Sequence, residues 1–228
     1  CDRLNLLFVG PMQRERIRAL AQLGDLTFAA CGADVSVCRR GREVATYAGR
    51  DAGRVSLLLV LGTHLLAISK GGTVNVWDTS DGELWASFHT SEALGAPTAC
   101  AHPPTYLNKA LLGGSTGAME LWNVRTQKCI YRFKGWGSAI TVLQPSPAVD
   151  VVGVGLADGR IVLHNVLADE TLCTFRHEAA VTALAFRTDG TPWLLSGDTS
   201  GCVAVWDLDT RRIHCMNKAA HSMAVTSM

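Results

Sequence analysis

The sequence lacks long apolar runs, an excess of one charge sign and a leader-like N-terminus. Its longest apolar run, Val55–Leu61, contains a serine and is far shorter than the roughly 20 residues of a membrane helix. Lys and Arg number 21 against 20 Asp and Glu, which argues against a strongly basic protein that wraps nucleic acid but is compatible with a local basic patch. Residues 1–10 have neither a basic start nor a small-residue cleavage site, so we expect no signal peptide.

Motifs for disulfide, metal and phosphate chemistry are also missing. The eight cysteines contain no C-x-x-C pair and have no histidine at zinc-ligand spacing. The sequence has no N-x-S/T glycosylation acceptor and no phosphate-binding G-x-x-x-x-G-K-[ST] loop. We therefore predict free thiols packed as small apolar side chains, in a cytosolic or nuclear protein with no metal and no cofactor. Because the sequence begins with Cys rather than Met, we expect it to be part of a longer chain.

What is present is an internal repeat. Tryptophans followed by Asp or Asn recur in one frame, in which one histidine and one cysteine also stand. These anchor residues are Cys38, Trp77, Trp122, His164 and Trp206. Their spacings of 39, 45, 42 and 42 residues match the period of a four-stranded propeller blade.

The residues around each anchor have the pattern of a blade. A glycine that can adopt positive φ precedes the alternating strand of an anchor, namely Gly72, Gly117, Gly159 and Gly201. Short apolar runs lie upstream, at 65–68, 107–112, 149–154 and 193–195, as expected for strands buried on both faces. An aromatic closes the predicted outer strand, and a threonine recurs in the strand that opens the next blade. The aromatic residues are Phe88, Phe133 and Phe175, and the threonines are Thr98, Thr141 and Thr182.

We therefore predict an all-β WD-repeat β-propeller. Helical spacing is confined to residues 12–23, most of which we assign to the first strand of blade one, and sandwich folds do not repeat in units of four. A seven-bladed ring needs roughly 290 residues at ~42 per blade. We expect an outer strand at 4–9, five blades, and an opening strand at 223–228. Residues 1–228 would then be part of one propeller, completed by residues outside this sequence.

Candidate polar sites are few. WD repeats join Trp, Ser or Thr, His and Asp in a buried network; the Asp slot, six residues before the anchor, holds Gly71, Thr116, Asp158 and Ser200. We expect the blade of Trp206 to keep His177 and Ser196 without the acid, at a cost of about 1 kcal/mol per lost hydrogen bond. No set of side chains suggests catalysis, so we predict a protein that is not an enzyme.

Basic residues cluster near two predicted outer strands. They are Arg39, Arg40, Arg42, Arg50 and Arg54 in blade one, and Arg125, Lys128, Arg132 and Lys134 in blade three. A solvated rim is the simpler interpretation, and a contact with RNA phosphate or an acidic partner is the functional one. Aromatic residues are too sparse among them for base stacking.

Several segments resemble one family. They are 102–109 (HPPTYLNK), 131–136 (YRFKGW), 147–152 (PAVDVV) and 186–190 (FRTDG), and they are similar to the family of WD-repeat protein thirty-six, also named U three protein twenty-one. The resemblance implies a nucleolar scaffold of the UTP-B subcomplex in the small-subunit processome, acting in pre-ribosomal RNA processing. Its partners would be other UTP-B WD-repeat proteins and a small nucleolar ribonucleoprotein, with no membrane and no small-molecule substrate. Two alternatives stay open: a generic WD-repeat adaptor, such as a ubiquitin-ligase substrate receptor, and an enzyme that uses a propeller pocket.

Overall fold

The computed structural model describes residues 15–49 and 53–228, which form twenty strands and one short 3₁₀ helix, Glu92–Leu94. The strands make five four-stranded antiparallel sheets, each a meander in which neighbouring strands are consecutive in sequence. These sheets are the predicted blades, and the all-β WD-repeat propeller fold is confirmed. Within the described ranges, no helix has the length and apolar character that crossing a membrane requires.

The chain divides into two compact units, Cys1–Thr90 and Ser91–Met228. The first holds blade one (β1 Ile17–Leu23, β2 Leu26–Cys31, β3 Asp34–Arg39, β4 Arg42–Tyr47) and blade two (β5 Val55–Leu61, β6 His64–Ser69, β7 Thr73–Asp78, β8 Leu84–His89). Its core includes Phe28, Leu65 and Trp77, and the ring of Tyr47 stacks on Trp77 at a centroid distance of 5.6 Å. Two neighbouring sheets thus bury their faces against each other.

The second unit holds the other three blades. Blade three is β9 Pro97–Ala101, β10 Lys109–Gly114, β11 Met119–Asn123 and β12 Lys128–Phe133. Blade four is β13 Ile140–Pro145, β14 Val151–Leu156, β15 Arg160–Asn165 and β16 Glu170–Arg176. Blade five is β17 Val181–Phe186, β18 Trp193–Asp198, β19 Val203–Asp207 and β20 Arg212–Asn217. Second and third strands are largely buried and outer strands largely exposed, which is why the apolar runs occur just upstream of the anchors.

The repeated glycines and threonines have the structural roles that their positions predict. Gly72, Gly117, Gly159 and Gly201 all have φ between +86° and +93° in the turn between the second and third strands of a blade. Thr141 donates to the carbonyl oxygen of Gly155 in its own blade and to that of Val181 in the first strand of blade five. Thr141 therefore ties blades four and five together, whereas Thr98 donates within its own blade and Thr182 reaches Val225 beyond blade five.

Each outer strand is bulged at the same place. The register slips by one residue opposite the anchor, which leaves Val44, Trp85, Ile130, Leu172 and His214 outside the ladder. A bulge interrupts the regular row of edge hydrogen-bonding groups and so disfavours pairing with a strand of another molecule. The five blades thus protect their outer edges in the same way.

Some predicted boundaries are wrong or lie elsewhere. Leu107 and Val149 are not in strands, and their side chains are 84% and 69% exposed, because the loops before Lys109 and Val151 end the apolar runs. Residues 223–228 form no strand, since they pair with no neighbouring strand in the described part of the chain, although Val225 is buried and its N–H donates to the Asp198 carbonyl. The strand predicted at 4–9 lies outside the described residues, and the completion of the ring stays a prediction.

Candidate functional site

Blade five contains a buried cluster of four polar side chains that are in contact with one another. Trp206 Nε1 donates to Ser196 Oγ at 2.6 Å, and His177 Nε2 is 2.6 Å from the same oxygen. His177 Nδ1 lies 3.1 Å from Asp198 Oδ2, and all four side chains are buried. Burial lowers the pKa of His177, against the opposing charge of Asp198, so the imidazole is neutral near neutral pH. These contacts join the second strand, the third strand and the loop that precedes the blade.

The prediction that this blade lacks its acid is wrong. Asp198 fills the role from a position eight residues before Trp206, at the end of β18, rather than from the slot of Ser200. Its Oδ1 accepts hydrogen bonds from Ser200 N, Ser200 Oγ and Cys202 N at 2.9, 2.6 and 3.0 Å. Burial opposes ionisation of this carboxyl, but these hydrogen bonds outweigh it and hold its pKa below the usual range. The Asp198 carboxylate therefore contacts the His177 ring with one oxygen and stabilises the β18–β19 turn with the other.

The same residues bring three metal-type ligand atoms close together. Atoms of His177, Asp198 and Cys202 lie within 4.8 Å of one another, although the sequence spacing indicates no second ligand for this histidine. However, Ser196 and Asp198 already contact the two ring nitrogens, and burial raises the pKa of the Cys202 thiol. We assign the cluster to the hydrogen-bond network.

Blade three replaces this network with a buried carboxylate. Glu120 is fully buried, and its oxygens accept from Trp122 Nε1 at 2.9 Å, from Arg132 Nε at 2.9 Å and from Ser91 Oγ. Arg132, on the outer strand, is about half exposed and brings its charge to the buried acid. Glu120 is not among the residues predicted from the sequence; its only signal there is an acidic residue at an inward position two residues before an anchor.

In blade four the tryptophan and the histidine occupy each other's positions, relative to blade five. His164 takes the anchor position, and Trp136 stands in the loop where blade five has His177. The ring centroids of His164 and Trp136 are 5.2 Å apart, with planes at 88°. Val154 occupies the position of Ser196, so no hydroxyl reaches the imidazole, and burial lowers the pKa of His164. Asp158, which keeps the expected spacing, pairs instead with Arg160 at 2.7 Å.

The predicted basic residues of the described ranges lie on or beside the outer strands, except Arg54, which directly precedes β5, the first strand of blade two. Arg39, Arg40 and Arg42 surround the β3–β4 hairpin, and Arg39 pairs with Asp25 at 3.3 Å. Arg125 and Lys128 lie in the β11–β12 hairpin, whereas Arg132 and Lys134 lie further along and just after β12. Arg132 is held by Glu120, and Arg50 lies outside the described residues. The two groups belong to different units, and their role in binding stays a prediction.

The whole length of the chain, residues 1–228, matches the family model described as the WDR36/Utp21 first β-propeller. The chain belongs to this family. WD repeat-containing protein 36 of Homo sapiens is 35% identical over 229 residues, which cover 100% of this chain and 26% of that protein. U3 small nucleolar RNA-associated protein 21 homolog of Schizosaccharomyces pombe is 35% identical over 226 residues, 97% of this chain and 25% of that protein.

The same family is seen at lower identity, and the fold is seen in a solved structure. U3 small nucleolar RNA-associated protein 21 of Saccharomyces cerevisiae is 28% identical over 225 residues, 94% of this chain and 24% of that protein. The chain therefore spans about a quarter of the length of these curated relatives. The crystal structure of the computationally designed Ika8 protein matches with a TM-score of 0.77 and 25% identity, over 92% of this chain and 64% of that chain.

Proposed function

We propose that the chain is a non-enzymatic scaffold of ribosome biogenesis that supports pre-ribosomal RNA processing in the small-subunit processome. The observation that carries this proposal is the match of all 228 residues to the first-propeller family, with relatives named as U3 small nucleolar RNA-associated proteins. The proposed location is the nucleolus. The proposed partners are other UTP-B WD-repeat proteins and a small nucleolar ribonucleoprotein with its pre-ribosomal RNA.

The contacts of the buried polar groups support a scaffold. His177, Ser196 and Asp198 are engaged with each other and with Trp206, and Glu120 is engaged with Arg132 and Trp122. A nucleophile needs a base that is positioned next to it and accessible to a substrate. In blades three and five, the groups that could supply such chemistry instead hold strands together.

Only some of the predicted basic residues are free of an ion pair in the described ranges, and these define the surface that we propose contacts RNA phosphate. Arg39 and Arg132 are neutralised by Asp25 and Glu120. Of the basic residues on or beside the outer strands, five make no ion pair within the described part of the chain, namely Arg40, Arg42, Arg125, Lys128 and Lys134. Guanidinium and ammonium groups that are exposed and unpaired are the ones available to phosphate oxygens.

The scaffold proposal is tested by purifying the tagged full-length protein and analysing proteins and RNA from the same eluate. We expect UTP-B WD-repeat proteins together with U3 small nucleolar RNA and pre-ribosomal RNA. Recovery of cullin adaptors or coat proteins without these RNAs would overturn the proposal in favour of a generic adaptor.

The RNA contact is tested in the same full-length protein with the double variant Arg125→Gln/Lys128→Gln. We expect at least a threefold loss of RNA crosslinked to the first propeller, because two cations that would contact phosphate are removed. Each lost phosphate contact should also reduce the salt dependence of single-strand binding, by about 0.7 in the slope of log K against log salt concentration. Arg187→Gln is the matched control, since Asp189 neutralises Arg187 at 2.5 Å. Equal crosslinking in all three proteins would assign this hairpin to a solvated rim.

A further inference from the structure

A cavity of about 240 Å³ lies between the outer strand of blade three and the third strand of blade four. Its walls include Phe133 at the end of β12, Trp136 in the loop that follows, His164 on β15, and Asp169 and Thr171 around the start of β16. The volume is below the range of about 300–1,000 Å³ that is typical of pockets for drug-sized ligands. The cavity therefore fits one side chain rather than a whole metabolite.

Aromatic rings form much of this cavity. The His164 ring centroid lies 5.3 Å from that of Phe133 and 5.2 Å from that of Trp136, with interplanar angles of 87° and 88°. The face of an aromatic ring carries negative partial charge and attracts cations, most strongly when the site is partly shielded from water. Neutral His164 does not oppose such a cation, because burial lowers the pKa of its imidazole.

A carboxylate adds a full negative charge to these walls. Asp169 Oδ2 accepts the hydroxyl of Tyr131 at 2.7 Å, and Oδ1 lies 3.2 Å from His164 Nε2. Asp169 has φ +52°, the same turn conformation as Gln127 and Arg211 at the corresponding hairpin positions of blades three and five. Lys134 also lines the cavity, but within the described ranges it makes no ion pair with Asp169. The negative charge thus has no cationic partner.

His164 itself leaves hydrogen-bonding capacity unused at this site. Its side chain is buried. Nδ1 has no partner among the residues that the structure describes, and the contact of Nε2 with Asp169 Oδ1 at 3.2 Å, like that of His177 Nδ1 with Asp198, lacks hydrogen-bond geometry. Blade four has Val154 at the position that Ser196 occupies in blade five, and a valine has no hydroxyl with which to contact the imidazole. Blade four has therefore lost the structural network of blade five and has an acidic aromatic cavity instead.

We propose that this cavity, termed the blade-four cage (Phe133, Trp136, His164 and Asp169), binds the ammonium head of a lysine side chain from a partner polypeptide. Nε-trimethyl-lysine would bind more tightly than unmodified lysine, because a quaternary ammonium is more weakly hydrated and its methyl groups contact the rings. The ligand class follows from the aromatic walls and from a carboxylate whose charge has no lysine or arginine partner within the described residues. The site is independent of the proposed role in ribosome biogenesis.

The test is a calorimetric titration of the full-length protein with small lysine analogues. The probes are Nα-acetyl-Nε-trimethyl-lysine amide, Nα-acetyl-lysine amide and Nα-acetyl-norleucine amide, which has the same kind of aliphatic chain without the ammonium. We expect saturable binding of both cations, tightest for the trimethylated one, and at least tenfold weaker binding of the norleucine compound. Equal binding of the neutral and charged probes, or no binding of either cation, would overturn the proposal.

Two variants locate the binding. Asp169→Asn keeps the shape of the side chain, tolerates positive φ and can still accept the Tyr131 hydroxyl, so it should fold; we expect at least tenfold weaker binding of the trimethylated probe. Asp189→Asn, in an exposed turn paired with Arg187, is the control and should bind like the parent. Trp136→Leu should reduce the preference for the trimethylated probe while circular dichroism stays unchanged. Unaltered affinity in Asp169→Asn would place the binding elsewhere.

Discussion

Replacing Ser196 by alanine removes the single atom that joins two buried groups of blade five. Ser196 Oγ accepts the indole N–H of Trp206 at 2.6 Å and lies 2.6 Å from His177 Nε2. The serine is completely buried, and Trp206 and His177 are 3% and 2% exposed. Water therefore has little access to either nitrogen once the hydroxyl is gone.

The magnitude follows from these two nitrogens. A buried polar group that loses its partner costs about 1–3 kcal/mol. With two such groups, Ser196→Ala should lower the free energy of unfolding of blade five by about 2–6 kcal/mol. Domains of this kind are stable by about 5–15 kcal/mol, so the loss is a large fraction of the total.

Native-state hydrogen exchange measures this loss where it occurs. We expect faster exchange of the amides of β18 and β19, with amides of blade three less affected. Ser80→Ala is the control, because Ser80 Oγ makes a hydrogen bond of the same 2.6 Å length to Asp78 but in an exposed turn. That variant should remain within about 0.5 kcal/mol of the parent. If both variants change exchange equally, burial does not set the value of the network and the reasoning is refuted.

Two further predictions concern the other blades of the second unit. Glu120→Ala should destabilise blade three by about 2–4 kcal/mol in urea denaturation, because Trp122 and Arg132 lose a buried acceptor. The control Glu170→Ala, at an exposed position, should cost less than about 0.5 kcal/mol, and equal midpoints of the two variants would contradict a role for the buried carboxylate. Burial lowers the pKa values of His164 and His177, so the unfolded chain binds protons more readily than the folded one. The free energy of unfolding should therefore be highest above the ordinary histidine pKa of about 6.5 and should fall as the pH drops below it. Urea midpoints at pH 7.5 and 5.5 test this, and His164→Phe should reduce the decline; identical midpoints at the two pH values would argue against it.

The repeat was predictable because its signals are local. The alternation that ends at Trp77 or Trp122, the glycine turn before it and the buried run upstream all fall within about twenty residues of one meander. Each signal reflects a period of two along a strand or the freedom of glycine at positive φ. The structure confirms all five anchors for this reason.

The polar contacts were less predictable, because they join residues from different strands and loops. A fixed spacing of six residues selects Ser200, whereas the turn after β18 brings Asp198 to His177. Glu120 has no counterpart in the expected network, and its partner Arg132 had been grouped with the surface charges. Which acid meets which base depends on the turn geometry and on the register between strands.

The sequence by itself determined the five blades, their order and the family, since hydrophobic periodicity and turn residues are properties of neighbouring positions along the chain. The tertiary structure alone decided how blades three, four and five accommodate their buried polar atoms. Trp206 joins a Ser–His–Asp network, Trp122 contacts a carboxylate that also binds an arginine, and His164 lines an acidic aromatic cavity. The physical reason is that a hydrogen bond depends on tenths of an ångström between atoms that the fold brings together, a scale that a pattern of residue types does not contain.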